Sequence, residues 1–139
     1  MMPFRATEWK EVRIASTRKF RQWELLEDVF YKLHDNRWLF IKKGFITDGA
    51  SIPRAFWVFY TPENPLWLGA AVVHDALYAS ELVSRSFADE ELRRAMKLEG
   101  NNAVRRNIFW SGVRMFGWLT WKGHSKRSIR KARDFVSLI

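Results

Sequence analysis

The sequence predicts an α+β domain in which an N-terminal antiparallel β-sheet, built as hairpins or a meander, packs against three to four C-terminal helices. Three observations lead there. From Glu11 to Ile46 short apolar and aromatic runs alternate with polar clusters, as strands do. After Pro65 apolar residues recur at helical spacing. With 139 residues, 47% of them hydrophobic, the chain can bury one core without disulfides or metal staples. Residues 1–121 are read as the domain and 122–139 as a basic amphipathic helix or tail, packed on it or extending from it.

The strand candidates are Val12 with Ile14, Phe20 to Leu26, Val29 to Leu33 and Trp38 to Ile41, and His34-Asp35-Asn36-Arg37 is a hairpin turn, since Asp and Asn tolerate turn dihedrals. Gly49 and Pro53 end the last strand in the loop from Thr47 to Arg54. Pro53, Pro62 and Pro65 bracket the aromatic cluster Phe56, Trp57, Phe59 and Tyr60, a packed loop. Pro65 suits the first turn of a helix running to about Ala79, with Asn64 as its N-cap. On that helix Ala70, Ala71, His74, Leu77 and Tyr78 share a face, which turns His74 inward or toward a cleft. A second helix starts at Ser86, with Asp89 completing a box-like cap, and stops near Gly100. A third starts at about Asn102, with Gly112 marking a close helix contact.

Charge is unevenly placed. Residues 1–92 hold 12 Lys/Arg and 13 Asp/Glu, whereas residues 93–139 hold 12 Lys/Arg against only Glu99 and Asp134. Such a basic third points to an anionic partner such as nucleic acid or a membrane surface, and Lys122, Lys126, Arg127, Arg130, Lys131 and Arg133 are the candidates for non-specific phosphate contact. The alternative for these residues is a solvated helix face; no base-reading motif accompanies them. The last apolar residues, Phe135, Val136, Leu138 and Ile139, would suit a partner groove. The absence of cysteine excludes disulfides, thiolate zinc sites and thiol nucleophiles. MMPFRATEWK lacks the apolar run of a signal peptide, and the stretch from Leu66 to Val73 is too short to span a bilayer, so a soluble, cytoplasmic protein is expected.

Four motifs, in order, carry a resemblance to a known family. They are Lys43-Gly44-Phe45-Ile46-Thr47-Asp48-Gly49-Ala50-Ser51-Ile52-Pro53-Arg54, then Ala70-Ala71-Val72-Val73-His74-Asp75-Ala76-Leu77-Tyr78, then Ala88-Asp89 with Ala95-Met96, and finally Val113-Arg114-Met115-Phe116-Gly117. Over roughly residues 28 to 121 the chain resembles the phage and prophage family catalogued as domain of unknown function 1353. Ala76 departs from the aromatic residue the family often has there. The resemblance implies a phage-encoded accessory or late protein, in the host cytoplasm or associated with the virion, with a compact polar site. It implies no reaction, and a phage or host protein or a second copy of the chain stand as partners.

Asp48, Ser51, His74, Asp75 and Asp89 are the polar residues these motifs would bring together. An imidazole with carboxylates fits an acid–base site, and His74, Asp75, Asp89 and Asp48 could ligate zinc or manganese. Adjacent helical residues point about 100° apart, so His74 and Asp75 share an ion only where the helix edge faces it. The structural alternative has Asp48 and Ser51 ordering their loop, Asp89 capping the second helix, and His74 donating to Asp48 or Asp89. Two narrower enzyme readings carry less weight. One is a phosphohydrolase needing a second histidine, for which only His34 lies upstream; the other is a Ser51, His74, Asp89 triad without a nucleophile elbow. Whether the chain is an enzyme stays open at this point.

Overall fold

A computed structural model describes residues 14–16, 22–47 and 68–139. Within them the chain is α+β, with five strands first, four helices after them and a sixth strand following the last helix. The strands form two small antiparallel sheets. The first has the order β1 (Ile14–Ser16), β2 (Trp23–Leu25), β5 (Ile46–Thr47), with Trp23 opposite Ser16 on one side and Thr47 on the other. The second has the order β3 (Val29–Lys32), β4 (Trp38–Ile41), β6 (Val136–Leu138).

Side-chain alternation sets these registers. Trp23 and Leu25 are buried while Glu24 faces water, and in β4 Leu39 and Ile41 are buried between the half-exposed Trp38 and Phe40. The hairpin turn lies where the sequence placed it. Leu33 N–H donates to the Arg37 carbonyl at 2.8 Å, and Asn36 takes a left-handed φ of 72° that asparagine accepts more readily than most residues. Among the described residues the antiparallel strands divide between two sheets. Chain order does not set strand order, because β5 returns to β2 and β6 arrives from the C-terminus to pair with β4.

Helix α1 (Leu68–Ser80) is buried at every residue from Gly69 to Tyr78, so apolar residues surround it and leave no polar face. It packs against α2, α4, β5 and β6. The expected cap Asn64 and first-turn Pro65 lie outside the described residues. Among those described, the Glu99 carboxylate accepts the Gly69 and Ala70 N–H groups at 3.3 and 2.6 Å.

Helix α2 (Arg85–Leu98) begins one residue before the expected cap Ser86. Ser84, in extended conformation, is the N-cap and its side chain accepts from Phe87 N–H. Asp89 therefore sits inside the helix with its carboxylate buried, not at the cap. Gly100 ends the helix at φ 95°, as read. Asn102 caps α3 (Ala103–Lys122), and a reciprocal Ser125–Ser128 box caps α4 (Lys126–Arg133). Of the terminal apolar residues, Val136 is buried in β6 and Phe135 and Leu138 pack against the core, while Ile139 stays 69% exposed. That core joins Tyr31, Leu39 and Ile41 of the second sheet to α1, Leu92, Ala95 and Met96 of α2, and Phe109 and Val113 of α3.

Candidate functional site

The site forms where α1, α2 and α3 meet. Helical spacing places His74 and Tyr78 one turn apart on α1, and Arg85 and Asp89 one turn apart on α2. Arg114 reaches in from α3. All four converge on the Asp89 carboxylate, which is fully buried. His74 Nε2 lies 2.8 Å and the Tyr78 hydroxyl 2.6 Å from Oδ1; Arg114 Nη1 lies 2.8 Å and Arg85 Nη1 3.4 Å from Oδ2. Arg85 also donates to the Val113 carbonyl at 3.0 Å, which fastens α2 to α3.

Burial alone pushes the Asp89 carboxyl upward, but hydrogen bonds and charge from His74, with further bonds from Tyr78 and Arg114, outweigh it and hold the group below the usual carboxylate range. Asp89 is thus an anion that only accepts, so His74 Nε2 carries the proton of their bond. Burial, and then the hydrogen bond to Asp89, raises the Tyr78 phenol, keeping it a neutral donor. Gly117 closes the back of the cluster: a Cβ there would collide with the Tyr78 hydroxyl and come within 3.3 Å of Arg85 Nη1.

Asp75, one residue from His74, turns another way and accepts from the Thr47 hydroxyl of β5. The two adjacent candidates thus reach different elements, His74 to Asp89 on α2 and Asp75 to Thr47 on β5. Asp48 and Ser51 lie outside the described residues, and with them the loop half of the predicted site. Among the described residues no group of three or more His, Asp or Glu side chains is placed to hold a metal ion. His34 is bound elsewhere: its backbone N–H and Nδ1 lie 2.8 and 2.5 Å from Oε1 of the fully buried Glu91, and its ring stacks on Phe87. It does not join His74, so the two-histidine arrangement of the phosphohydrolase reading does not form.

Sequence reasoning does not mark Tyr78, Arg85, Arg114 or Gly117 as site residues. The available signals were the four-residue spacings from His74 and to Asp89, and the motif positions of Tyr78, Arg114 and Gly117.

Of the six basic candidates, Arg133 is engaged inside the domain, donating to the Ser80 carbonyl at 2.7 Å, and Lys122 lies over the Trp118 ring at 4.9 Å. Lys126, Arg127, Arg130 and Lys131 are exposed and form no ion pair with a described residue. At 100° per residue they share an arc of about 140°, opposite the buried Ala132.

The profile of the family described as proteins of unknown function (DUF1353) matches residues 23–113, well over half of the chain. The chain belongs to that family. No curated protein and no solved structure matches it. The matched span covers His74, Tyr78, Arg85 and Asp89 but stops one residue before Arg114, and α4 lies wholly beyond it.

Proposed function

We propose that this DUF1353 protein is a non-enzymatic binding protein that contacts a nucleic-acid backbone through the outward face of α4, with the His74–Asp89 cluster serving as architecture. The phage and prophage setting implied by the family resemblance fits a small accessory protein of this kind. The observation that carries the reading is the row Lys126, Arg127, Arg130 and Lys131, four exposed cations without carboxylate partners among the described residues. An ordinary exposed helix mixes charge signs. The closed cluster supports the other half, since His74 and Asp89 are both fully buried and the carboxylate already accepts from four donors.

Binding of a short fluorescent duplex, followed by anisotropy between about 50 and 200 mM salt, tests it. Four phosphate contacts give a slope of log K against log salt of about −3.6, and Lys126→Ala with Arg130→Ala reduces it to about −1.8. Absence of binding, or a slope that the double variant leaves unchanged, overturns the reading. Thermal stabilisation by zinc or manganese that His74→Gln abolishes would favour the metal or acid–base reading instead.

A further inference from the structure

A pocket of about 400 Å³ opens between the first sheet and α4, within the range of small-ligand sites. Its walls are apolar: Phe45 and Ile46 at the start of β5, Ala79 in the last turn of α1, Ala132 of α4, and Phe135, which is partly buried. Three polar side chains also line it. Ser128 is engaged in its reciprocal cap with Ser125, but the Gln22 amide and the Lys131 ammonium make no hydrogen bond or ion pair with a described residue. No acidic side chain lines the pocket among the described residues. A ligand matched to it has an apolar body, an edge that hydrogen-bonds to an amide, and a negative charge close by.

The position of Lys131 says where that charge comes from. Around α4 the order is Lys126, Arg130, Arg127, Lys131, and at 100° per residue the next positions are Ser128 and Ala132, both of which line the pocket. Lys131 therefore belongs to the cationic row and to the pocket at once, and the pocket opens along the edge of the row. We infer that it receives one unpaired base of a single-stranded nucleic acid whose phosphates lie on that row, an inference resting on the proposed nucleic-acid binding by α4. A base has apolar faces for the walls and a rim of donors and acceptors for the Gln22 amide, which is both. It is also tethered to phosphates that the row attracts. Aromatic carbon beside a cationic track is how single strands are held elsewhere. A duplex keeps its bases paired and stacked, so it touches the row and leaves the pocket unfilled. Backbone attraction alone favours the duplex, whose phosphates are more densely spaced, so a preference for single strands cannot come from the charge of the row.

The test compares three fluorescent probes on the full chain by anisotropy: a single-stranded DNA, a strand of the same length whose sugars carry no bases, and the duplex. The single strand should bind on the order of tenfold more tightly than either of the others, about 1.4 kcal/mol. Ala79→Leu grows into the pocket and should bring single-strand binding down to the level of the abasic strand. Gln22→Ala removes the free amide and should weaken single-strand binding severalfold. Neither should move duplex binding. Gln22 has no partner among the described residues, so its variant should keep the wild-type melting temperature and decides the matter if Ala79→Leu does not fold. Lys126→Ala with Arg130→Ala should weaken all three probes and leave the single-strand preference in place. Single-strand binding no tighter than that of the abasic strand, or a preference that either variant leaves unchanged in a folded protein, overturns the inference while duplex binding keeps the reading of α4. Binding of none of the probes overturns both.

Discussion

Replacing Asp89 by Asn keeps the shape of the side chain and removes its charge. All four partners of the carboxylate reach it as donors, so the amide NH2 must face donors whichever way it is turned: the two arginines, or His74 and Tyr78. Turning it toward His74 and Tyr78 is less costly, yet Arg85 and Arg114 still lose their counter-charge. Removing one partner of a buried ion pair costs about 3–5 kcal/mol. The arginine side chains are 20% and 33% exposed, so water recovers part of the loss and the low end, about 3 kcal/mol, applies. For 139 residues the unfolding entropy at the midpoint is about 0.29 kcal/mol/K, so Asp89→Asn should melt about 10 °C below wild type at pH 7. The sign with pH follows from the lowered pKa. Stability from the ionised group is present above its unfolded value of 3.8 and is lost as pH falls through the still lower folded value, so the gap between variant and wild type should close in acid. Circular dichroism melts across pH check both. A variant melting within about 3 °C of wild type at pH 7, only about 1 kcal/mol, would refute the assignment of Asp89 as the charged centre that holds three helices together.

Other consequences are open to similar measurements. Tyr78→Phe removes one neutral donor from Asp89 and should cost about 1 kcal/mol by urea midpoint, well short of the Asp89→Asn loss. Gly117→Ala drives a methyl into the Tyr78 hydroxyl and should destabilise by about 1–3 kcal/mol, whereas Gly123→Ala, with only ordinary contacts around the new methyl, should not. Burial lifts the Glu99 carboxyl from 4.5 to about 7 against the pull of the Ala70 and Gly69 N–H groups. The folded state then holds a proton that the unfolded chain releases, so stability should fall as pH rises from about 4.5 to 7, and Glu99→Gln should flatten that slope in melts across the range. Truncation after Asp134 removes β6 and the buried Val136, and should lower the urea midpoint, an outcome that a detached tail would not give.

The sequence disclosed those parts of the fold that depend on near neighbours. The 34–37 turn, Gly100 as a helix stop and Asn102 as a helix start were legible because one or two residues decide each of them. The inward orientation of His74, and Asp89 as one of its two possible acceptors, followed from helical phase and shared motifs. The rest of the cluster was not legible, because Arg114 reaches Asp89 from 25 residues away on a third helix and no periodicity marks such a meeting. The same holds for β6, a three-residue strand that follows a basic helix and acquires its identity only by pairing with β4. Assigning Ser86 as a cap failed for a different reason. Ser84 and Ser86 both suit the role by type, and only backbone conformation separates them.

The charge asymmetry of the chain acquires a physical explanation from α2. Its three consecutive acids, Asp89, Glu90 and Glu91, are met by Arg85 and Arg114, by Arg93 at 2.7 Å and by Arg94 at 3.3 Å. Glu91 also receives His34, which ties the β3–β4 turn to the helix. Arginine suits these places because it keeps its charge when half-buried and forks to several acceptors, as Arg85 does between Asp89 and two α3 carbonyls. The lysines are distributed differently: Lys97, Lys122, Lys126 and Lys131 are all exposed. Basic residues are therefore of two kinds, arginines that neutralise buried acids and a remainder, mostly toward α4, that leaves an uncompensated field at the surface. Substituting the first kind should change stability with little effect on anion binding. Substituting Lys126, Arg130 or Lys131 should do the reverse, and variants that moved both quantities together would mean that the cluster and the surface are one coupled site.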